Sequence, residues 1–383
     1  MRLSLVLAAG LMAAGVAHAE TPIPLEKGPS TDQTLLRAVA ADVDAKALES
    51  TIRALVGFGT RHTLSDTQSP TRGIGAARRW TKARFEAISK DCGGCLAVET
   101  PSQVVTGRRI PKPTEVMNVL AIQKGTSDPS RVIIIAGHID SRVSDVMDFT
   151  SDAPGANDDA SGVAAVIEAA RVLSKHRFPA TLVYAVLSGE EQGLHGGKIL
   201  ADYARANGWK VEADLNNDIV GNSRGQSGVM DNTHVRVFSE GTKAVETPEQ
   251  ANSRRYNGGE VDSPSRNLAR YLDGLADKYL TNFDVVMVYR TDRYGRGGDQ
   301  VPLLEAGYPA VRVTEAVENY DRQHQDLRTQ NGRVYGDTIE GVDFSYLAQV
   351  TRLNTVAMAS LASAPPPPSG VKIEGAVSPD TKV

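Results

Sequence analysis

The chain has 383 residues, 41% of them hydrophobic, with 42 basic against 46 acidic side chains and a formal charge of −4. That is enough apolar material for one large core or two modest ones. The mild acidic balance leaves no footprint for nucleic acid or an anionic membrane surface.

Residues 1–19, MRLSLVLAAGLMAAGVAHA, combine one basic residue, a short apolar run and a small-x-small ending at Ala17-His18-Ala19. The pattern predicts a signal peptide cleaved after Ala19, hence an exported protein, periplasmic or extracellular. The run is shorter than the roughly 20 residues a membrane span needs, and no later segment is apolar enough to cross a bilayer. Residues 20–32 are polar and Pro-containing, which predicts an extended arm. Apolar spacing from Gln33 to Phe58 suits two short helices, and residues 73–89 suit an amphipathic one. Cys92 and Cys95 are the only cysteines and flank a Gly-Gly turn. In the oxidising compartment that the signal implies, they predict a local disulfide.

Strands are predicted at 96–105 and 116–123, and the continuous β-branched run at 131–140 marks a central strand. A helix over 160–176, a strand over 180–187, a helix over 196–206 and a strand with its loop over 211–222 follow. Residues 223–264 are polar and Gly-rich, and predict loops with one strand at 234–239. Beyond them come a helix (265–280), a strand (283–290), a short helix (301–305), a strand (310–315) and a last helix (342–361). This alternation predicts an α/β/α sandwich around a mostly parallel, mixed sheet, one catalytic domain over 33–363. Residues 364–383 are Pro-rich without apolar periodicity and predict a flexible tail.

Chemistry-bearing residues gather at the predicted strand ends, where open α/β sheets place their sites. His138 ends the central strand, with Asp140 on the same side two residues on. A carboxylate there suits either a metal-bound imidazole or a core histidine. Asp158 and Asp159 sit in a Gly-flanked turn before a helix. Capping needs one acid and the turn supplies two, so one is free to face a cation. Glu190 and Glu191 end the strand at 180–187, Asp218 the next, and His324 follows the strand at 310–315. Two histidines with Asp and Glu suit zinc in mixed N/O ligation. Two ions sharing one carboxylate need about this many ligands, and a further acid that is not a ligand suits the proton transfer.

In order and spacing, AGHIDSR, APGANDDASG, LSGEEQGLHG, NNDIVGN and GYPAVRVTE with His324 resemble the co-catalytic di-zinc exopeptidases of metallopeptidase clan MH. These include bacterial leucyl aminopeptidases and glutamate carboxypeptidases. The similarity runs from about Gly59, at GTRHT, to Leu361. The resemblance implies the phosphorylase/hydrolase-like zinc exopeptidase fold and two Zn²⁺ ions bridged by Asp158. His138 and Asp218 would complete one site, and Glu191 with His324 the other. It implies Glu190 as general base, Asp140 as the partner of His138, and a cis peptide between Asp158 and Asp159. Asp299 matches a pocket acid, but Gln300 stands where the family often has His. Tyr294 lies about one residue from the position of an oxyanion-stabilising tyrosine. His62, His176, His195 and His234 match no ligand position and are expected to be structural or surface groups.

The function expected is a secreted or periplasmic di-zinc aminopeptidase acting on peptides. A carboxypeptidase or a glutaminyl cyclase is the alternative within the family, although the cyclases use one zinc and five ligand positions are filled here. An acidic pocket wall would favour a substrate amine and an arginine cluster a carboxylate. Arg290, Arg293 and Arg296 keep the second option open. A non-catalytic, receptor-like relative would lack ligands or the base, and neither is missing.

Overall fold

The computed structural model describes residues 33–366 and Pro368. The expected signal peptide, N-terminal arm and most of the Pro-rich tail lie outside them. The helices are α1 (Thr34–Ala41), α2 (Ala45–Val56), α3 (Gly73–Asp91), α4 (Ala160–Leu173), α5 (His195–Ala206), α6 (Pro248–Asn257), α7 (Pro264–Tyr279), α8 (Gln300–Glu305) and α9 (Phe344–Ser363). The strands are β1 (Ala97–Glu99), β2 (Ser102–Gly107), β3 (Ile110–Met117), β4 (Val119–Gln123), β5 (Asp128–His138), β6 (Ala180–Leu187), β7 (Lys210–Asn217), β8 (His234–Phe238), β9 (Asp284–Val288), β10 (Ala310–Glu315), β11 (Arg328–Gln330) and β12 (Arg333–Tyr335).

Eight strands form one sheet in the order β1-β4-β6-β5-β7-β10-β8-β9. Strands β6, β5, β7 and β10 are parallel neighbours, as are β8 and β9. Antiparallel joints attach β1 to β4, β4 to β6 and β8 to β10. The unbroken apolar runs of β5 and β6 follow from burial on both faces, because successive side chains alternate. Ile133, Ile135, Leu182 and Tyr184 join a core with residues of α1, α2, α4, α7 and α9. Ile134, Ala136, Val183 and Ala185 face the other way, onto α5 and α8. Helices therefore cover both faces, giving the α/β/α arrangement.

Four features differ from the sequence reading. Residues 96–105 are two strands, because Pro101 has no N–H to continue a ladder. β1 stays in the main sheet and β2 leaves it to pair with β3. β3 carries two prolines and little alternation, so its sequence does not read as a strand. α6 buries no residue, so apolar periodicity has nothing to register. It is instead set by Pro248 in its first turn and a Thr247–Gln250 capping box. The short β11–β12 hairpin is also exposed for most of its length. The Sγ atoms of Cys92 and Cys95 are bonded at 2.07 Å, closing the turn after α3.

Close approach at the carboxyl edge of the sheet depends on two glycines. A Cβ on Gly137, in β5, would lie 2.7 Å from the carbonyl carbon of Gly162. One on Gly162, in α4, would lie 2.3 Å from the carbonyl oxygen of Asn217 in β7. The end of β5, the start of α4 and the end of β7 converge only because neither residue has a side chain. Among the described residues, no helix is long and apolar enough to cross a membrane.

Candidate active site

The ends of β5, β6 and β7, the turn before α4 and the loop after β10 bring five side chains into two groups. His138 Nε2 lies 3.3 Å from Asp158 Oδ1 and 3.8 Å from Asp218 Oδ1. His324 Nε2 lies 2.9 Å from Asp158 Oδ2 and 2.8 Å from Glu191 Oε1. Each triad offers one atom per residue within 4.8 Å of the others, and Asp158 belongs to both. The Asp158–Asp159 peptide is cis. Asp159 caps α4 through Gly162 N–H and also accepts from His138 N–H and Ile219 N–H. The two aspartates are thus divided, one on the cluster and one on the backbone. His324 has φ of 55°, in the left-handed region that a non-glycine residue enters at a cost.

The donor set fits a cation. Each imidazole nitrogen has at most one proton to give, yet two carboxylate oxygens approach it. Glu191 Oε1 is buried and faces His324 Nε2, a nitrogen that Asp158 Oδ2 also approaches. Burial opposes charge on His324, but the carboxylates of Glu191 and Asp158 outweigh it and raise the ring to about 9. Burial opposes charge on His138 as well, and the surrounding aspartates still hold it well above the usual histidine range. Asp158 sits well below the carboxylate range, since His324 and His138 outweigh its desolvation. Such nitrogen and oxygen donors suit zinc.

Glu190 belongs to neither triad and lines a cavity of about 330 Å³ beside them. Burial is the main reason its carboxyl is pushed well above the usual range, with Glu191, Asp218 and Asp299 adding to it. The carboxylate of Asp140 lies within ion-pair distance of the His138 ring but does not hydrogen-bond to it. Nδ1 faces the main-chain carbonyl of Asp140 at 3.0 Å, while the carboxylate oxygen is 3.7 Å away, too far for a hydrogen bond. That carboxylate instead accepts from the N–H groups of Gly189, Glu190 and Glu191, at 2.8, 3.3 and 3.1 Å. It fixes the loop that carries both glutamates, because three successive amides converge on one side chain.

Two expected pocket residues lie elsewhere. Tyr294 is 89% exposed and its ring packs under Arg290, whereas Arg293, Gly295, Arg296 and Gly297 around it line the cavity. Asp299 is buried behind the wall, accepting from Gly197 N–H at 2.9 Å. Gln300 is also buried, donating to Asp292 and Thr291.

Supporting residues absent from the sequence reading hold the cluster. Arg312 is fully buried in β10 and places Nη1 2.9 Å from the second oxygen of Asp218. A charge inside the apolar run AVRVTE is the sequence signal for it. Asp337 accepts from the N–H groups of Asn157 and Asp158, steadying the turn. Arg142 places Nη2 2.6 Å from His324 Nδ1 and Nε 3.0 Å from Glu191. Arg61, also fully buried, donates to the carbonyls of Ile139, Leu55, Pro154 and Gly155. It ties the end of α2 and the loop before Asp158 to β5. Arg61→Ala is expected to cost about 3 kcal/mol or more, since four buried carbonyls lose charged donors. Urea denaturation measures it, and a loss below about 1 kcal/mol would contradict this role.

Nitrogen and oxygen donors converging at the carboxyl edge of such a sheet could hold metal ions. Residues 118–342 match Peptidase family M28. A probable zinc metalloprotease of Leptosphaeria maculans is 48% identical over 343 residues, 89% of this chain and 80% of that protein. The chain belongs to peptidase family M28 and is a zinc metallopeptidase. The fold is also that of the LapA aminopeptidase of Legionella pneumophila, with a TM-score of 0.61 and 20% identity over 86% of this chain and 75% of that one. It is likewise that of the Porphyromonas gingivalis glutaminyl cyclase, with a TM-score of 0.56 and 16% identity over 84% and 99% of the two chains.

Proposed function

We propose that the protein is an exported two-zinc exopeptidase that removes N-terminal residues from peptides, with Glu190 as general base. The observation that carries this reading is that Asp158 belongs to both triads while Glu190 belongs to neither. His138, Asp158 and Asp218 would hold one zinc, and Asp158, Glu191 and His324 the other. Zinc held there supplies Lewis acidity, polarising a peptide carbonyl and acidifying water.

Glu190 takes one proton from the attacking water as its oxygen bonds to the carbonyl carbon. When the C–N bond breaks, Glu190 returns that proton to the departing nitrogen. Its desolvated position favours this exchange, because a carboxylate deprived of water is a stronger base. Asp140 keeps the base in place through the three loop amides, and Arg312 orients Asp218 from behind. Removal from the amino end is supported by the fold shared with the LapA aminopeptidase. Arginines in the cavity favour a substrate carboxylate, the observation that supports a carboxypeptidase as the second reading.

Chelation should abolish peptide hydrolysis and two equivalents of zinc per chain should restore it. Activity that survives chelation, or full recovery with one equivalent, would overturn the proposal. Zinc must also displace a proton from His324, whose pKa in the metal-free protein is about 9. Binding should therefore release protons at neutral pH and weaken as pH falls, which calorimetry in buffers of different ionisation enthalpy reads directly. The sign for stability follows from the raised value. Protonated His324 stabilises the metal-free fold below its unfolded pKa of about 6.5, and that contribution is lost as pH rises through about 9. The stabilisation conferred by zinc should grow across that window.

A further inference from the structure

Four arginines line the cavity beside the triads: Arg109, Arg142, Arg293 and Arg296. The carboxylates lining it are Asp158, Glu190, Glu191 and Asp218, each already engaged as proposed ligand or base. With dications bound, those charges are offset and the arginines set the sign of the remaining wall. Three of them have partners within the protein. Arg142 is held by Glu191, whose Oε2 lies 3.0 Å from its Nε. Arg293 is buried and paired with Glu318 at 2.6 Å and Asp292 at 3.3 Å. Arg109, from the β2–β3 turn, gives Nη1 to the carbonyl of Glu191 at 2.7 Å. Arg296 is different: its side chain makes no hydrogen bond or ion pair among the described residues. Its loop is anchored, because Arg312 donates to the carbonyl of Gly297 at 3.0 Å.

An exposed, uncommitted guanidinium in the lining of a cationic cavity is a receptor for a planar anion. We infer that Arg296 binds a carboxylate of the substrate close to the scissile bond, so that the preferred substrates are short peptides bearing one there. This rests on the exopeptidase reading above. Two sources share the chemistry: the C-terminal carboxylate of a dipeptide, or an acidic side chain following the bond.

The test compares Leu-Ala, Leu-Ala amide and Leu-Glu amide. Binding is measured by calorimetry on the zinc-loaded Glu190→Gln variant, and hydrolysis on the zinc-loaded wild type. Leu-Ala is expected to bind at least 10-fold more tightly than its amide. If Leu-Glu amide binds like Leu-Ala, the site takes either carboxylate; if it binds like Leu-Ala amide, the site takes the terminal one. In Arg296→Ala the acid-to-amide ratio should fall toward one, and in Arg296→Lys part of it should return. Equal affinity for all three probes, or an Arg296→Ala loss that is the same for all, overturns the inference. Carboxylate-selective binding with no hydrolysis by wild type would sink the exopeptidase reading and leave the subsite standing. Hydrolysis without carboxylate preference would do the reverse.

Discussion

Glu190→Gln is expected to lower kcat by about 10² to 10⁴-fold while zinc content and Tm stay near those of the wild type. The amide has nearly the shape of the carboxylate, so the cavity wall is kept, but it cannot take a proton from water. Glu190 has no place in either triad, so its loss removes no proposed ligand. The adjacent substitution Glu191→Gln should behave oppositely. Glu191 faces His324 at 2.8 Å, and replacing its charge should empty the second site before any catalytic step is tested. Metal analysis beside steady-state kinetics separates the two outcomes. Zinc lost from Glu190→Gln and kept in Glu191→Gln would show that the two roles are exchanged.

Asp158→Asn should have the largest effect on metal content, because one side chain serves both triads. Oδ1 faces His138 and Oδ2 faces His324, so any amide rotamer turns an N–H₂ toward one imidazole. An amide group donates rather than accepts there, and the negative charge shared by the two sites is gone. Zinc affinity is expected to fall more than about 100-fold, beyond what removing an outer hydrogen-bond partner does. His138→Ala and His324→Ala should each weaken one site more than the other. Equilibrium dialysis with zinc quantification checks this. A variant that kept two ions at wild-type affinity would show that Asp158 does not join the sites.

Much of the architecture is written in local pattern. Beyond Arg131 and Thr181 at their starts, the runs RVIIIA and TLVYAV are unbroken by charge and rich in β-branched residues, so they read as central strands, and they occupy the middle of the sheet. Helix α4 reads from its apolar period and from Asp159 at its cap. Where the local pattern is weak the reading stops. α6 has no buried face to betray it, and β3 pairs with β2 in spite of its prolines.

The candidate site divides in the same way. Residue type near strand ends and in the turn before α4 singled out His138, the pairs Asp158–Asp159 and Glu190–Glu191, Asp218 and His324, since parallel strands deliver their carboxyl ends to one edge, and only the family resemblance chose Asp158 and Glu191 within the pairs as ligands. Tyr294 and Asp299 were assigned by position in a pattern, and in the structure one side chain is exposed and the other buried, with neither in the cavity lining. Apart from Leu55, the partners given for Arg61, Arg142 and Arg312 lie far away in sequence, and no local spacing encodes them.

By itself, then, the sequence determined which segments become strands and helices and which chemically competent residues stand at their ends. Both follow from short-range rules, the period of side chains and the identity of the residue where a strand stops. Tertiary structure alone decided that Asp140 grips the glutamate loop, that Arg312 backs Asp218 and that Arg296 stands uncommitted at the cavity. Those facts depend on where separate loops cross in space, and a side chain's partner there is set by packing rather than by its neighbours in the chain.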